Sequence, residues 1–244
     1  MKFIKQFFKE ELETFENKDI KDFTLELLET APDYFWEIAA SSTGKWHPEY
    51  SLGFMGLARH VKAATVFLNH LLSMEHIQNQ FTSREKDMLR CAIMVHDTEK
   101  LGRNGSAYTV FKHPVLIADR IREYKGYEWL PDDEIEYIAQ ACESHMGQWN
   151  TDKRSRTVLP KPETFAQQLV HEADYLASRK DLEVHFEPEI YKMAEERLPD
   201  PNEYKLTFGK FEGEILSDVP KYYLIWLKDN YKTEPVKSMV DKLI

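Results

Sequence analysis

Cysteine is nearly absent from the chain, and the two that occur do not indicate a disulfide framework. Cys91 and Cys142 are the only cysteines among 244 residues, and both fall on the apolar faces of predicted helices. Secreted domains that depend on disulfides carry cysteine at much higher density. A thiol on an apolar face usually serves as a small buried hydrophobe. We therefore expect two reduced, buried cysteines in a cytoplasmic protein.

Long apolar runs are missing as well. No stretch is long enough to span a bilayer. The amphipathic residues 1–15 interrupt their phenylalanines with lysine and glutamate, whereas a signal peptide has an unbroken apolar core. The sequence predicts neither a membrane-spanning segment nor a secretory leader.

Positive charge is in deficit. Lysine and arginine number 32 against 42 aspartates and glutamates, which gives a formal net charge of −10 and a pI of about 5.4. Proteins that coat duplex DNA or bind anionic membranes depend on long-range attraction to lysine and arginine. The charge balance therefore argues against both classes, although it permits a locally cationic or metal-lined pocket.

The chain does contain enough apolar material for a sizeable core. Hydrophobic residues make up 42% of it and aromatic residues 13%. Apolar side chains recur three to four residues apart over most of the sequence, which predicts an all-α fold. A composition break near 198–202 precedes short β-rich pieces around glycines at 205–213. We predict a helical domain over 1–198 and a small hairpin-plus-helix module over 199–244.

The apolar spacing also places the predicted helices. The first two have apolar faces that could pack on their own chain or on a second copy in a homo-oligomer. The expected helices are 2–16, 19–30, one opened by 31–33, one from Gly56, one from an N-cap at Ser83 to His96-Asp97, one opened by His113-Pro114, one after 131–133 that delivers His145 before Gly147, one that carries Asp174 and one opened by Val219-Pro220.

A histidine and an aspartate stand side by side at the end of a buried helical face. The apolar residues between 88 and 93 recur at helical spacing, so His96 and Asp97 follow on the inner side. A carboxylate in an apolar layer is costly unless it is paired or bound to a metal. The pair therefore indicates a cation with further ligands.

Four other metal-competent side chains end or face inward on further predicted helices. They are His60, His113, His145 and Asp174. One histidine on an apolar face is more often a hydrogen-bonded core residue than a ligand, but several helices that each bring one favour a shared site. Imidazole with carboxylate suits Mn, Fe, Ni or Zn better than Mg.

The order of these candidates resembles the HD-domain phosphohydrolase superfamily, in the variant with extra histidines that can hold two metals. Residues 40–180 are most similar to the HD domain of the bacterial 3′–5′ exoribonucleases. The motifs that carry this similarity are Gly56-Leu57-Ala58-Arg59-His60, His96-Asp97-x-x-Lys100, Ser144-His145-Met146-Gly147 and the late Asp174.

The resemblance implies an HD-domain helical bundle and a role for each ligand. It implies two divalent transition metals, Mn or Fe, with Ni, Zn or Mg as alternatives. It also implies catalytic roles for Asp97 and for Lys100, which would contact substrate phosphate. We add Lys45, His47 and Arg59 as phosphate-binding candidates, for which a solvated loop is the alternative. The implied metal ligands are His60, His96, Asp97 and Asp174 for one ion, and His113 and His145 for a second ion that Asp97 bridges.

Three positions qualify the resemblance. Glu99 stands where the family often has glycine, and Met55 stands where the first glycine of a Gly-Gly-Leu turn is common. His171 lies one turn before Asp174 and could either orient that carboxylate or be a satisfied core histidine.

The tail carries a second resemblance. Residues 206–227 are similar to the C-terminal module of exodeoxyribonuclease X-type proteins. We expect Phe211, Tyr223 and Trp226 to form a small core, with stacking on bases as the alternative. A nuclease-like domain beside a nuclease-associated tail favours a nucleic-acid substrate.

These observations lead to one interpretation and two alternatives. Two cations a few ångströms apart activate a water and hold a phosphoester for in-line attack. We interpret the chain as a metal-dependent phosphodiesterase, a 3′–5′ exonuclease on single-stranded RNA or DNA. The first alternative is a phosphohydrolase of nucleotides or of cyclic or oligonucleotide second messengers, which the acidic surface permits. The second is a module that binds nucleic acid or protein without turnover, against which the complete ligand set argues.

Overall fold

The computed structural model of the chain describes residues 1–41 and 47–244, and the regular secondary structure of these residues is helical. They contain twelve α-helices and no β-strand, which confirms the all-α prediction. The helices are α1 Lys2–Phe7, α2 Lys9–Glu13, α3 Lys18–Glu29, α4 Gly56–Ser73, α5 Glu75–Gln78, α6 Ser83–Val95, α7 His113–Arg122, α8 Asp132–Glu143, α9 Phe165–Ala177, α10 Pro188–Arg197, α11 Lys221–Asn230 and α12 Val236–Leu243. Within the described ranges, none of them is long and apolar enough to cross a bilayer.

Four helices build the centre of the bundle. α4 packs against α6 and α9, and α8 packs against α6 and α9 in turn. α3 covers α6, and α7 lies along α8. The inner faces are apolar at helical spacing, so burying them removes a continuous apolar stripe from water. This packing brings the last turn of α6, the first turn of α7 and the end of α8 together.

The start of α6 differs from the prediction by one residue. Its N-cap is Thr82 rather than Ser83, because the Thr82 hydroxyl accepts a hydrogen bond from the backbone N–H of Glu85 at 3.2 Å. The Glu85 carboxylate accepts in return from the backbone N–H of Thr82 at 2.7 Å. This reciprocal capping box requires a glutamate three residues after the cap, and Ser83 is followed by Lys86 instead.

The turn before α4 is tight. Met55 has a left-handed backbone with φ of 59°, which is uncommon for a residue with a side chain, and its side chain is fully buried. A Cβ on Gly56 would lie 2.4 Å from the carbonyl oxygen of Ser51. The turn therefore takes methionine at its left-handed position, while close backbone contact requires glycine at the next residue.

The N-terminal helices pack on their own chain. Lys62 of α4 is buried and donates to the Glu11 carboxylate at 2.7 Å and to the Phe7 carbonyl at 3.2 Å. Phe7 is also buried against Trp36, with ring centroids 5.9 Å apart. The sequence left open whether the apolar faces of these helices pack on their own chain or on a second copy, and these contacts lie within the chain. A homo-oligomer remains a prediction.

The C-terminal residues have an apolar cluster of their own. The predicted hairpin is reduced to a single antiparallel bridge between Lys205 and Ile215. Trp226, predicted to lie in the core, is 49% exposed. The cluster is formed instead by Leu206, Leu216, Val219, Leu224, Leu227, Val236, Met239 and Val240. The backbone N–H of Phe54 donates to the Ser238 hydroxyl at 3.3 Å, so α12 contacts the turn before α4. The domain boundary at residue 198 remains a prediction.

Candidate metal centre

The structure brings all six predicted ligands into one buried cluster. His60 comes from α4, His96 and Asp97 follow α6, His113 opens α7, His145 follows α8 and Asp174 lies in α9. Three overlapping groups have ligand atoms within 4.8 Å of one another. They are His60, His96 and Asp97; His96, His145 and Asp174; and Asp97, His113 and His145.

Asp97 presents its two carboxylate oxygens to different histidines. Its Oδ2 atom lies 3.8 Å from Nε2 of His60 and 3.7 Å from Nε2 of His96. Its Oδ1 atom lies 3.1 Å from Nε2 of His113 and 3.9 Å from Nε2 of His145. A carboxylate with one oxygen toward each group can bridge two cations.

Asp174 completes the first of these groups. Its Oδ1 atom lies 2.9 Å from Nε2 of His60 and 3.4 Å from Nε2 of His96. The Asp174 side chain is 18% exposed, whereas that of Asp97 is 3% exposed. Asp174 is therefore the more accessible of the two carboxylates.

Three of the histidines are oriented by the same local device. In each, Nδ1 lies within hydrogen-bond distance of the backbone carbonyl three residues earlier. Because a carbonyl only accepts, Nδ1 carries the proton. In the neutral ring Nε2 then keeps its lone pair for a metal. The pairs are His96 with Ile93 at 2.7 Å, His113 with Val110 at 2.8 Å and His145 with Cys142 at 2.7 Å.

The charge state of the cluster suits a divalent cation. Burial alone would raise the pKa of Asp97, but Lys100, His96 and His113 outweigh it and hold that pKa well below its usual range. Burial, together with the charge of His96 and His113, lowers the pKa of His145 to about 3. An ionised Asp97 therefore faces a neutral imidazole at His145. Burial alone would lower the pKa of His96, but the negative charges of Asp97 and Asp174 outweigh it and raise that pKa.

The residues present fit a metal. His96 Nε2 is buried and has no hydrogen-bond partner among the described residues, although it faces two carboxylates. A buried, unpaired lone pair is costly unless a cation or a donor satisfies it.

Two of the further candidates lie on the wall of a pocket of about 270 Å³ beside the cluster. Lys100 donates to Asp97 Oδ2 at 2.5 Å. The His47 ring centroid lies 6.0 Å from that of His60. Burial, with the charges of His60 and Lys100, lowers the pKa of His47 to about 4. Lys45 lies outside the described residues.

Arg59 is not a phosphate ligand in this arrangement, which corrects the prediction. Its guanidinium is buried and donates to three backbone carbonyls: Tyr50 at 2.7 Å, Leu52 at 2.7 Å and Phe54 at 2.9 Å. All three acceptors belong to the loop before α4. Arg59 therefore holds that loop in place.

Glu99 and His171 also contact other parts of the protein rather than the pocket. Glu99 is buried and faces Arg120, with Oε1 and Nη1 3.4 Å apart, so it does not shape the pocket wall. His171 donates from Nδ1 to the backbone carbonyl of His145 at 2.8 Å. Among the described residues it has no hydrogen bond to Asp174. It therefore supports the turn that carries His145.

Sequence reasoning missed part of the pocket wall. Trp149, Tyr175 and Arg179 line it together with the ligands. Trp149 comes four residues after His145, and Tyr175 directly follows Asp174. Proximity to the ligands along the chain was the one sequence signal that could have identified them.

Comparisons with known proteins match two parts of the chain. The family described as "HD domain" matches residues 57–179, just over half of the 244 residues, and this range contains all six ligand candidates. A family described as "Putative quorum-sensing-regulated virulence factor" matches residues 194–233, which include the tail segment 206–227. No curated protein and no solved structure matches the chain.

Proposed function

The chain belongs to the HD domain family of metal-dependent phosphohydrolases, and on that premise we propose that it is a phosphodiesterase that shortens single-stranded nucleic acid from the 3′ end. The observation that carries the proposal is the divided carboxylate of Asp97, whose two oxygens face two groups of histidines. Two cations a few ångströms apart can hold both non-bridging oxygens of a phosphodiester. We propose two Mn or Fe ions, with Ni, Zn or Mg as alternatives.

We divide the proposed ligands between the two ions as the resemblance implies. His60, His96, Asp97 and Asp174 would hold one ion, and Asp97, His113 and His145 the other. When bound, the ions supply an activated water near neutral pH and positive charge beside the phosphate oxygens. The three carbonyl-bound imidazoles keep their lone pairs directed at the cluster, so they need little reorganisation.

The pocket wall supplies the remaining groups for phosphoester hydrolysis. Lys100 reaches Asp97 Oδ2 and borders the pocket, so its ammonium can turn to a phosphate oxygen or stabilise the leaving oxygen. His47 is neutral near pH 7, and its buried Nδ1 has no hydrogen-bond partner among the described residues. It can therefore orient a phosphate oxygen or a water.

The tail supports a nucleic-acid substrate. Trp226 is 49% exposed and stacks on Tyr223, with ring centroids 5.3 Å apart and planes 17° from parallel. Exposed, stacked aromatics are the surfaces on which single-stranded binders place bases. The resemblance of this segment to a nuclease-associated module points the same way.

The second candidate is a phosphohydrolase of nucleotides or of cyclic or oligonucleotide second messengers. The size of the pocket favours it, because about 270 Å³ holds one nucleotide rather than several. The net charge of −10 also works against long-range attraction of a polyanion.

One experiment separates the two candidates. The wild type and Asp97→Ala, purified without chelator and supplied with Mn²⁺, are given a 5′-labelled single-stranded oligonucleotide and a panel of nucleotides. A ladder that shortens from the 3′ end, absent in Asp97→Ala, supports the exonuclease. Turnover confined to nucleotides would replace it with the second candidate. Asp119→Ala, which removes a half-exposed carboxylate of α7, is the matched control.

A further inference from the structure

A large aromatic side chain stands open on the wall of the pocket. Trp149 ends a short 3₁₀ turn, Gly147–Trp149, which follows the ligand His145. Its side chain is 46% exposed, although it borders the same pocket as Asp97. An indole this exposed loses much of the stabilisation that burial would give it. Its exposed surface beside the pocket could be covered by a bound ligand.

Trp149 is supported from one side by α9. Its ring stacks on that of Tyr175, with centroids 5.3 Å apart and planes 15° from parallel. The guanidinium carbon of Arg179 lies 4.5 Å from the Tyr175 ring centroid. Cation, phenol and indole therefore form a layered wall. Tyr175 takes one face of Trp149 and the tilted His171 ring lies 5.9 Å away, centroid to centroid, and the part of the indole that is still exposed is available to a planar group.

Arg179 has hydrogen-bonding capacity left over. Its Nε atom is buried and has no hydrogen-bond partner within the described ranges, where the side chain also forms no ion pair. Arg179 lines the pocket together with Trp149 and Asp174. A buried guanidinium donor without an acceptor indicates a ligand that brings one, and nucleobases and sugar phosphates both carry such oxygens and nitrogens.

We propose that Trp149, Tyr175 and Arg179 form a base-binding wall for the nucleotide whose phosphate lies at the Asp97 cluster. The inference rests on the proposed function, since it takes the cluster as the phosphate site. Stacking accepts every base because each has a π-face, so the wall selects nucleotides over base-free phosphoesters without reading sequence. Asp174 and Tyr175 are adjacent, which fixes the wall relative to the ligands.

Steady-state kinetics test the wall. The substrates are an oligonucleotide and the same oligonucleotide with abasic sites in its three 3′-terminal positions. We expect the wild type to have a KM about tenfold lower for the base-bearing strand, and Trp149→Ala to lose that difference through KM rather than kcat. Trp149→Phe keeps an aromatic face and should retain most of the preference. Tyr127→Ala, at a 67% exposed aromatic outside this pocket, is the control.

A binding measurement keeps the wall testable if neither strand is cut. AMP and ribose 5-phosphate are titrated against tryptophan fluorescence with Mg²⁺ present throughout. AMP should quench the wild type and Trp129→Phe, but not Trp149→Phe, and ribose 5-phosphate should quench none of them. Trp149-dependent quenching without hydrolysis of either strand would support the base-binding wall and contradict the proposed function. Equal cleavage of both strands by wild type and Trp149→Ala would overturn the wall and leave the phosphodiesterase standing. No cleavage and no Trp149-dependent quenching would overturn both.

Discussion

His171 lies so close to Gly147 that a methyl group on the glycine would overlap its imidazole. A Cβ built on Gly147 would lie 2.2 Å from Cε1 of His171, and Gly147 has φ of +54°. The same imidazole donates to the backbone carbonyl of His145 at 2.8 Å. The turn after α8 is therefore held by one ring that touches it at two points, two residues apart.

Gly147→Ala should disturb the metal centre without unfolding the bundle. The added methyl group must displace His171 or the turn, and His145 moves with either. We expect reduced metal content by elemental analysis and at least a tenfold loss of phosphoester hydrolysis, because a ligand shifted by about 1 Å is misplaced for catalysis. Gly126→Ala is the matched control, since Gly126 has φ of +81° but nothing within 4 Å of its Cβ position. Equal effects of the two variants would assign the loss to backbone strain alone.

The ligand assignment predicts different metal losses for different variants. His113→Ala and His145→Ala should each lose mainly the second ion. Asp97→Ala should abolish hydrolysis and weaken the binding of both ions, because the Asp97 carboxylate faces both groups of histidines. Metal per chain after dialysis distinguishes these outcomes. His76→Ala, at an exposed histidine, should retain the wild-type content. Two ions per chain in all three cluster variants would refute the assignment.

Arg59→Lys should act on stability. A lysine cannot reach three carbonyls with one ammonium, so about two hydrogen bonds are lost, with an expected cost of about 2 kcal/mol. The urea midpoint measures this change. If Arg59 contacted phosphate instead, the variant would raise KM while its unfolding midpoint stayed at the wild-type value.

The stability of the fold should depend on pH through Glu136, which lies outside the metal centre. Hydrogen bonds from Arg122, and then from Lys125, lower its pKa from 4.5 to about 2. Because the folded pKa lies below the unfolded one, the stabilisation is complete above about pH 5 and is lost as the pH falls toward 2. Glu136→Gln should reduce the free energy of unfolding at pH 6 by about 1 kcal/mol or less, since the pair is partly solvated. The difference in the free energy of unfolding between wild type and variant should decrease as the pH approaches 2. A difference that does not change with pH would contradict the assignment.

The two cysteines should resist thiol reagents in the folded protein. Both are buried and free, as the sequence predicted. Burial raises the pKa of Cys91 to about 12 and that of Cys142 well above its usual range, so little thiolate forms at pH 8. Thiol titration with a disulfide reagent should find no reactive group in buffer and two in 6 M urea. Rapid reaction of either thiol in buffer would show that α6 or α8 opens locally.

The clustering of the six candidate ligands was predictable because each lies on, or directly beside the end of, a helix whose buried side periodicity identifies. Their division between two ions came from the resemblance. Arg59 was misread because its acceptors are backbone carbonyls of a loop, and sequence gives no sign of where a loop's carbonyls point. Trp226 was misread because leucines on the same helix fill the C-terminal cluster first. Trp149 was missed because its partner Tyr175 is remote in sequence and becomes a neighbour only when α9 meets the turn after α8.

The carbonyl contacts of His96, His113 and His145 have a consequence for how such a centre can be transferred. Each ring is aimed by an atom three residues earlier in its own chain segment, so the orientation of the ligand is a property of a four-residue unit rather than of the assembled protein. A designer who grafts these helix ends onto another bundle has to match the positions of the helices and, for His145, the contact of its turn with His171. The direction of each nitrogen lone pair is transferred with the graft.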